Sequence, residues 1–464
     1  MYSSYSSLQQ SQLAAQGYYD TQSTYLLVYA PGRNTALRAT LADQLHRKFR
    51  LADTLGSALT EGVDGVLLVS EDVECMSTAL MCFAKALQDG ADYAVCNAVF
   101  GFGGATALYQ SRAHLAQNRC ALVSRPLLER CRAAAKDPEN VTELLALAAQ
   151  FCAHPARIPQ ALLHYERDIC AEDAFSATGK RAFLMSHVLD MTGAPIVLVS
   201  AVPVLRSMGY EVVVLGPSDG GALQLFVDAG AAVITRPGIR ATPNLWGLAL
   251  CTDLVLVNTV VMARTVRALS GTAVPVLWWL HDAFAGYPHI AHQIPTKLAE
   301  NVRLYSVGHH AANAMHAVRP DFQIGQLIYG LPDYAAEDFP RCDLGYPADK
   351  PLFATVGSFE RRKGHDIFCA AIRLLPEEVR NKATFLFVGM AADKEMMDAV
   401  RSLTTDCPEN VFYCKRLSRD EIKNLMEQCT CLVCASRDDP MPTFVTEGLI
   451  FGKPSIVSEH TGTA

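Results

Sequence analysis

The chain has 464 residues, half of them apolar and 19% charged, with a net charge of −7 and a pI near 6. This balance excludes a largely disordered chain and gives no general reason to expect nucleic acid as a partner. The most apolar stretch, Ala194 to Leu205, holds two prolines and a serine and falls short of the roughly 20 residues a membrane-crossing helix needs. At about 150 residues per domain, the length suggests roughly three domains. The fifteen cysteines are odd in number and scattered, and no basic-then-apolar leader precedes them, so they are expected to be reduced thiols of a cytoplasmic protein.

Residues 1–25, rich in Ser, Tyr and Gln without periodicity, are expected to form a disordered tail. From Tyr25 onward short apolar runs alternate with amphipathic stretches, the signature of βα units. A first block, 26–170, contains the strand Gly65-Val-Leu-Leu-Val69, then Glu71 and Asp72, then a helix from Thr78. Its run Gly101-Phe-Gly-Gly104 lacks a following Lys-Ser/Thr, which argues against a P-loop.

A second block, 180–335, supplies strands at Arg181–His187, Glu211–Leu215, Ala232–Ile234, Leu254–Val257, Val274–Leu280 and Arg303–Val307, with helical runs between most of them. Strands joined by such crossovers make a doubly wound sheet. Thr192-Gly193-Ala194-Pro195 takes the first βα turn, and His281 ends the strand in Trp278-Trp-Leu-His-Asp282. His309-His310 also ends a strand and is expected to be structural, while Gln323–Pro332 reads as a last strand and a hinge-like connection.

The third block, 336–464, repeats the pattern. Strands are predicted at Leu352–Val356, Thr384–Val388, Val411–Tyr413, Cys431–Cys434 and Ser455–Val457, with helices near 365–375, 393–403, 418–428 and 443–451. The predicted fold class is therefore α/β: two Rossmann-like doubly wound parallel-sheet domains, 180–335 and 336–464, preceded by a shortened α/β domain over 26–170. Cys429, Cys431 and Cys434 have metal-like spacing, but a strand aims alternate thiols at opposite faces, so they are expected in the core.

Two places in the third block carry chemistry. After its first strand comes Gly357-Ser-Phe-Glu-Arg-Arg-Lys363-Gly-His-Asp366, leading into a helix. Backbone N–H groups at a helix start favour anions, and Lys363 adds a point charge suited to a diphosphate. Taken alone, such a turn is more often a solvated basic loop. Further on, Asp439 closes a strand and Glu447 lies about two helical turns beyond, so both carboxylates face the crevice where open α/β sheets bind ligands.

Five segments run in register: Gly357 to Lys363-Gly364, Phe387-Val-Gly389, Leu417-Ser-Arg-Asp-Glu-Ile422, Ser436 to Glu447-Gly448, and Gly452-Lys-Pro454. In order and spacing this set resembles the GT-B-fold glycosyltransferases of family 4, over about 180–464. The resemblance implies retaining transfer of a sugar from a nucleotide diphosphate sugar to a glycan or glycolipid acceptor, with no cofactor or metal required. It implies that Asp439 contacts the donor sugar, that Glu447 holds the ribose, and that Lys363 neutralises the leaving diphosphate. Gly193, Gly357 and His281 fall at cleft positions of the family. Ser358 stands where the family usually has Arg, leaving Arg361 or Arg362 to substitute, and Met441-Pro442 replaces a common Phe-Gly. Pro442 has no N–H, which moves phosphate contacts to Thr443 or Phe444. The family continues beyond Thr461-Gly462, so the last domain is expected to be incomplete.

Gly65 to Glu74, together with Ile158-Pro-Gln-Ala-Leu-Leu-His-Tyr165, resembles GT-A-type family 2 glycosyltransferases. That likeness makes Asp72 a candidate holder of a divalent metal, but Ser70 and the short span from Leu26 to Val66 imply a degenerate, inactive relative. Two other functions stay open at this point, a sugar-nucleotide-binding pseudoenzyme and a GT-B-fold nucleotide-sugar epimerase. A glycolipid acceptor would also imply peripheral membrane contact.

Overall fold

The computed structural model describes residues 18–464 except 57, 60, 61, 102–104, 177, 240–245 and 348. Most of the expected N-terminal tail and Phe102 to Gly104 of the glycine-rich run thus lie outside the described residues. The chain forms two compact units, one running up to Asp190 and including Val202–Val255, the other made of Met191–Ala201 and Leu256–Ala464.

In the first unit the strands are β1 (Leu26–Tyr29), β2 (Phe49–Ala52), β3 (Gly65–Val69), β4 (Glu74–Cys75), β5 (Tyr93–Phe100), β6 (Thr106–Tyr109), β7 (Cys120–Ser124), β8 (Pro155–Tyr165), β9 (Lys180–Met185), β10 (Tyr210–Gly216) and β11 (Ala232–Thr235). All but β4 and β8 run in the order β2-β1-β3-β7-β5-β6-β11-β10-β9 across the sheet, and β8 pairs with β4 and β5. β2, β1 and β3 are parallel, β7, β5, β6 and β11 pair antiparallel in turn, and β11, β10 and β9 are parallel again. β1 and β3 are buried at every position, which is why their sequences are unbroken apolar runs rather than alternating ones. β11, from the second block of sequence, pairs with β6 from the first, so both blocks contribute to this sheet. The Asp72 carboxylate accepts hydrogen bonds from Thr35 Oγ1, Ala36 N and Leu37 N at 3.0–3.1 Å, where helix Thr35–Leu41 begins. Burial raises its pKa, but these donors to the charged form outweigh that and hold it below the usual carboxylate range.

The second unit takes in most of β12 (Leu254–Asn258), followed by β13 (Val276–Leu280), β14 (Val302–Ser306) and β15 (Ile324–Gln326). β12 neighbours β13, and β13, β14 and β15 run parallel. A second sheet contains β16 (Leu352–Val356), β17 (Thr384–Val388), β18 (Val411–Cys414), β19 (Cys431–Cys434) and β20 (Ser455–Val457), all parallel in the order β18-β17-β16-β19-β20. Helices His365–Leu374 and Lys394–Asp406 pack Phe368, Ile372, Met396, Val400 and Leu403 on one face. Helices Arg419–Gln428 and Thr443–Ile450 pack Leu425, Met426, Phe444 and Val445 on the other. The strand order reverses between β16 and β19, which makes the crevice beyond their carboxyl ends the topological switch point, where open α/β sheets bind ligands. Cys429 and Cys434 pack in the same core as Leu425 and Phe444.

Candidate functional site

The loop after β16 is shaped by glycine and by arginine. Gly364 has φ +68°, and a Cβ there would fall 2.0 Å from Ala435 O, so only glycine lets this loop lie against the end of β19. Gly389, at the end of β17, would bring a Cβ within 1.8 Å of Gly357 O. Arg437 then staples the β16 and β19 loops together. Its backbone N donates to Arg362 O at 2.8 Å, its guanidinium donates to Arg361 O, and it forks onto Asp366 at 2.8 and 2.6 Å.

This scaffold sets Lys363 Nζ 2.6 Å from Asp439 Oδ2, with Arg362 Nη1 at 3.9 Å from the same oxygen. Asp439 is 3% exposed, and a carboxylate so buried needs a countercharge. Its backbone is fixed as well, donating to His460 O and accepting from Gly462 N. Arg362 donates to Asp438 O at 2.9 Å and to Glu360 Oε1 at 3.0 Å, and Ser358 Oγ also donates to Glu360. Arg361 is exposed, and its side chain makes no ion pair among the described residues.

Glu447 lies one helix further on, 7% exposed, accepting from Arg419 Nη1 at 2.7 Å. The Arg419 guanidinium sits 4.4 Å over the Tyr334 ring. Helix Thr443–Ile450 starts after Pro442, whose carbonyl accepts from Val445 and Thr446. The N–H groups of Thr443 and Phe444 therefore have no intrahelical acceptor. The Phe444 side chain is core, so only its backbone is available for a ligand. Gly193 opens helix Gly193–Ser207, and its Cβ position is 3.7 Å from Thr443 Cγ2.

His281 follows β13, with its ring 4.5 Å from that of Trp279. The next residue, Asp282, accepts from Val260 N at 2.6 Å, and desolvation pushes its carboxyl up to about 6. Three residues beyond His281, the turn at Phe284–Gly286 presents two N–H groups to Asp438.

The structure thus brings Lys363, Arg362 and Asp439 together, places Gly193 beside Thr443, and joins the His281 segment to the residue preceding Asp439. Ser358 and Arg361 lie at the exposed outer part of the β16 loop, and Asp72 caps a helix in the first unit. Three participants were not singled out from sequence. Arg437 and Asp438 sit inside the segment that carries Asp439, and Arg419 lies in Leu417-Ser-Arg, so each was within reach of the motif that flagged its neighbours. Among the described residues there is no group of three or more His, Cys, Asp or Glu side chains placed to hold a metal, and no helix is long and apolar enough to cross a membrane.

Residues 178–316 match the family model described as Glycosyl-transferase family 4, and residues 338–464 match that described as Glycosyl transferases group 1. Between residues 178 and 464 the chain is therefore similar to two glycosyltransferase families, one over each of these segments. Comparison with curated protein sequences finds no match. Among solved structures, HepE of Anabaena in complex with UDP and glucose is similar at 16% identity and a TM-score of 0.49, over 61% of this chain and 82% of that one. Sucrose-phosphate synthase of Thermosynechococcus elongatus is similar at 16% identity and a TM-score of 0.46, over the same shares of each chain.

Proposed function

We propose that this chain transfers a sugar from a nucleotide diphosphate sugar to a glycan or glycolipid acceptor, with retention at the anomeric carbon. The observation that carries the reading is the 2.6 Å pair between Lys363 and Asp439, held at the switch point of a parallel sheet with Glu447 one helix away. Without a ligand the two charges neutralise each other. A donor in the crevice separates their tasks: the diphosphate takes Lys363 and Arg362, and the freed Asp439 oxygen accepts from sugar hydroxyls. As the bond from the anomeric carbon to the diphosphate breaks, negative charge grows on the leaving group, and cations already in place stabilise that state without reorganising. The N–H groups of Thr443 and Phe444, at a helix start, add donors for the phosphates. Glu447 exchanges Arg419 for ribose hydroxyls, while Gly193 and His281 border the sugar and acceptor.

The first block, 26–170, fits a shortened and inactive relative of family 2 transferases. The engagement of Asp72 by three donors supports that reading, since its carboxylate already serves a helix start. The proposed transfer takes place in the cytoplasm, in peripheral contact with the membrane when the acceptor is a glycolipid, and needs no metal.

A panel of nucleotide sugars tests the proposal. The true donor raises the melting temperature by mass action, and Glu447→Ala weakens that shift. Mass spectrometry with acceptor extract then shows the sugar transferred. Donor converted without acceptor to free nucleotide and an altered sugar indicates an epimerase. Donor bound but never consumed indicates a pseudoenzyme. Failure of every nucleotide sugar to bind or react sinks the proposal.

A further inference from the structure

Asp438 is next to the acid assigned to the donor sugar, yet its own carboxylate is committed elsewhere. Oδ2 accepts from Ala285 N at 2.8 Å, while Oδ1 accepts from Phe284 N at 3.3 Å and lies 2.7 Å from His310 Nε2. The donors come from two separate parts of the chain, the turn after His281 and the first turn of helix His309–His316. The Asp438 and His310 side chains are only 15% and 16% exposed, and the Phe284 ring meets the His310 ring edge-on at 5.2 Å. The Asp438 carbonyl accepts from Arg362 Nη1 at 2.9 Å. One residue is thus gripped on its side chain by the His281 segment and on its backbone by the diphosphate loop.

We propose that Asp438 is a positioning residue, clasping the turn after His281 and the His310 ring so that Asp439 and Lys363 are held in a fixed place with respect to His281. A carboxylate suits the task because it only accepts, and it can serve two backbone N–H groups and an imidazole N–H at once. Loss of the clasp leaves two backbone donors unsatisfied and lets the turn drift. Misplacement by about 1 Å costs on the order of a hundredfold in rate when reacting groups must be aligned. Asp438 touches neither the sugar nor the phosphates in this scheme, which rests on the transferase reading above.

Hydrogen exchange and kinetics, measured on the full chain, test the inference. In Asp438→Ala the amides of Phe284 and Ala285 exchange about tenfold faster or more, as expected when a protected turn opens locally. Turnover at saturating donor and acceptor falls by about ten- to a hundredfold, while the nucleotide-induced melting shift persists because Arg419 and Glu447 pair with each other and not with the Asp438 carboxylate. His310→Gln restores an N–H donor and retains more turnover and protection than His310→Ala. Unchanged exchange at Phe284 and Ala285, a defect confined to the donor KM, or equal behaviour of the two His310 variants overturns the inference. If Asp438→Ala does not fold, the His310 pair decides. A wild-type chain that binds no nucleotide sugar defeats the transferase reading, and the exchange measurement still tests the clasp.

Discussion

His365 opens the helix behind the candidate phosphate loop with 2% of its surface exposed, its ring 4.5 Å from that of Phe359, and neither ring nitrogen hydrogen-bonded. Desolvation, followed by the nearby Lys363 charge, lowers its pKa from 6.5 to about 4. Between those values the unfolded chain takes up a proton that the folded chain refuses. The imidazole's contribution to stability is therefore complete above about pH 6.5 and is lost as the pH falls toward 4, with about 2 kcal/mol gone at pH 5 by linkage. Asp282 works in the opposite sense, since a carboxyl raised to about 6 favours the folded state as acid protonates it. Comparing wild type with His365→Phe cancels that term. Urea denaturation at pH 7.5 and pH 5 should show the wild type losing about 2 kcal/mol more than the variant on acidification. Parallel losses in the two proteins would show that His365 titrates normally.

At the scale of elements, helix Arg419–Gln428 depends on a capping box. Ser418 Oγ accepts from Glu421 N at 3.3 Å, and Glu421 Oε2 accepts from Ser418 N at 2.6 Å. This helix presents Arg419 to Glu447, so cap and site are coupled. Ser418→Ala should cost about 1 kcal/mol of stability and, by fraying the first turn, alter the nucleotide-induced melting shift. A stability loss with an unaltered shift would show that Arg419 is held by Tyr334 and Glu447 without help from the cap. The box is legible in the sequence as Ser-x-x-Glu before an apolar-periodic run. So are β16, β17, β19 and β20, whose short apolar runs are bounded by Gly, Pro and polar residues and whose limits agree with those predicted. Long-range choices were not legible. The antiparallel pairing of β6 with β11 joins segments more than a hundred residues apart and leaves no periodic trace. Asp438 and Asp439 are the same residue type side by side, and only the fold decides which carboxylate meets Lys363 and which meets the Phe284 turn. A strand followed by an acid likewise looks the same whether the acid caps a distant helix, as Asp72 does, or holds a ligand.

At the scale of the whole molecule, the fifteen cysteines report on packing in both units. Ten are buried, and only Cys170 and Cys251 are exposed. Desolvation pushes the Cys75 and Cys82 thiols to about 12 and that of Cys429 to about 11. Cys170 is exposed, yet desolvation and then its hydrogen bond to Asp173 raise it to about 11. Because the thiolate is the reacting species, Cys251 should be alkylated first in the native protein and Cys170 more slowly. The buried thiols fall into two sets: Cys75, Cys82, Cys96, Cys120 and Cys131 in the first unit, and Cys369, Cys407, Cys429, Cys431 and Cys434 in the second. Each unit is a compact body, and in the second the two faces of the β16–β20 sheet share its strands, so each set should become reactive as one cooperative group when urea is raised, in the manner of sub-global opening. Pulsed alkylation read by mass spectrometry supplies two curves, each with a single midpoint for its five thiols. Midpoints scattered within one set would mean that its unit does not unfold cooperatively. Reaction of either set in native buffer at the rate of Cys251 would mean that its core is not packed as described.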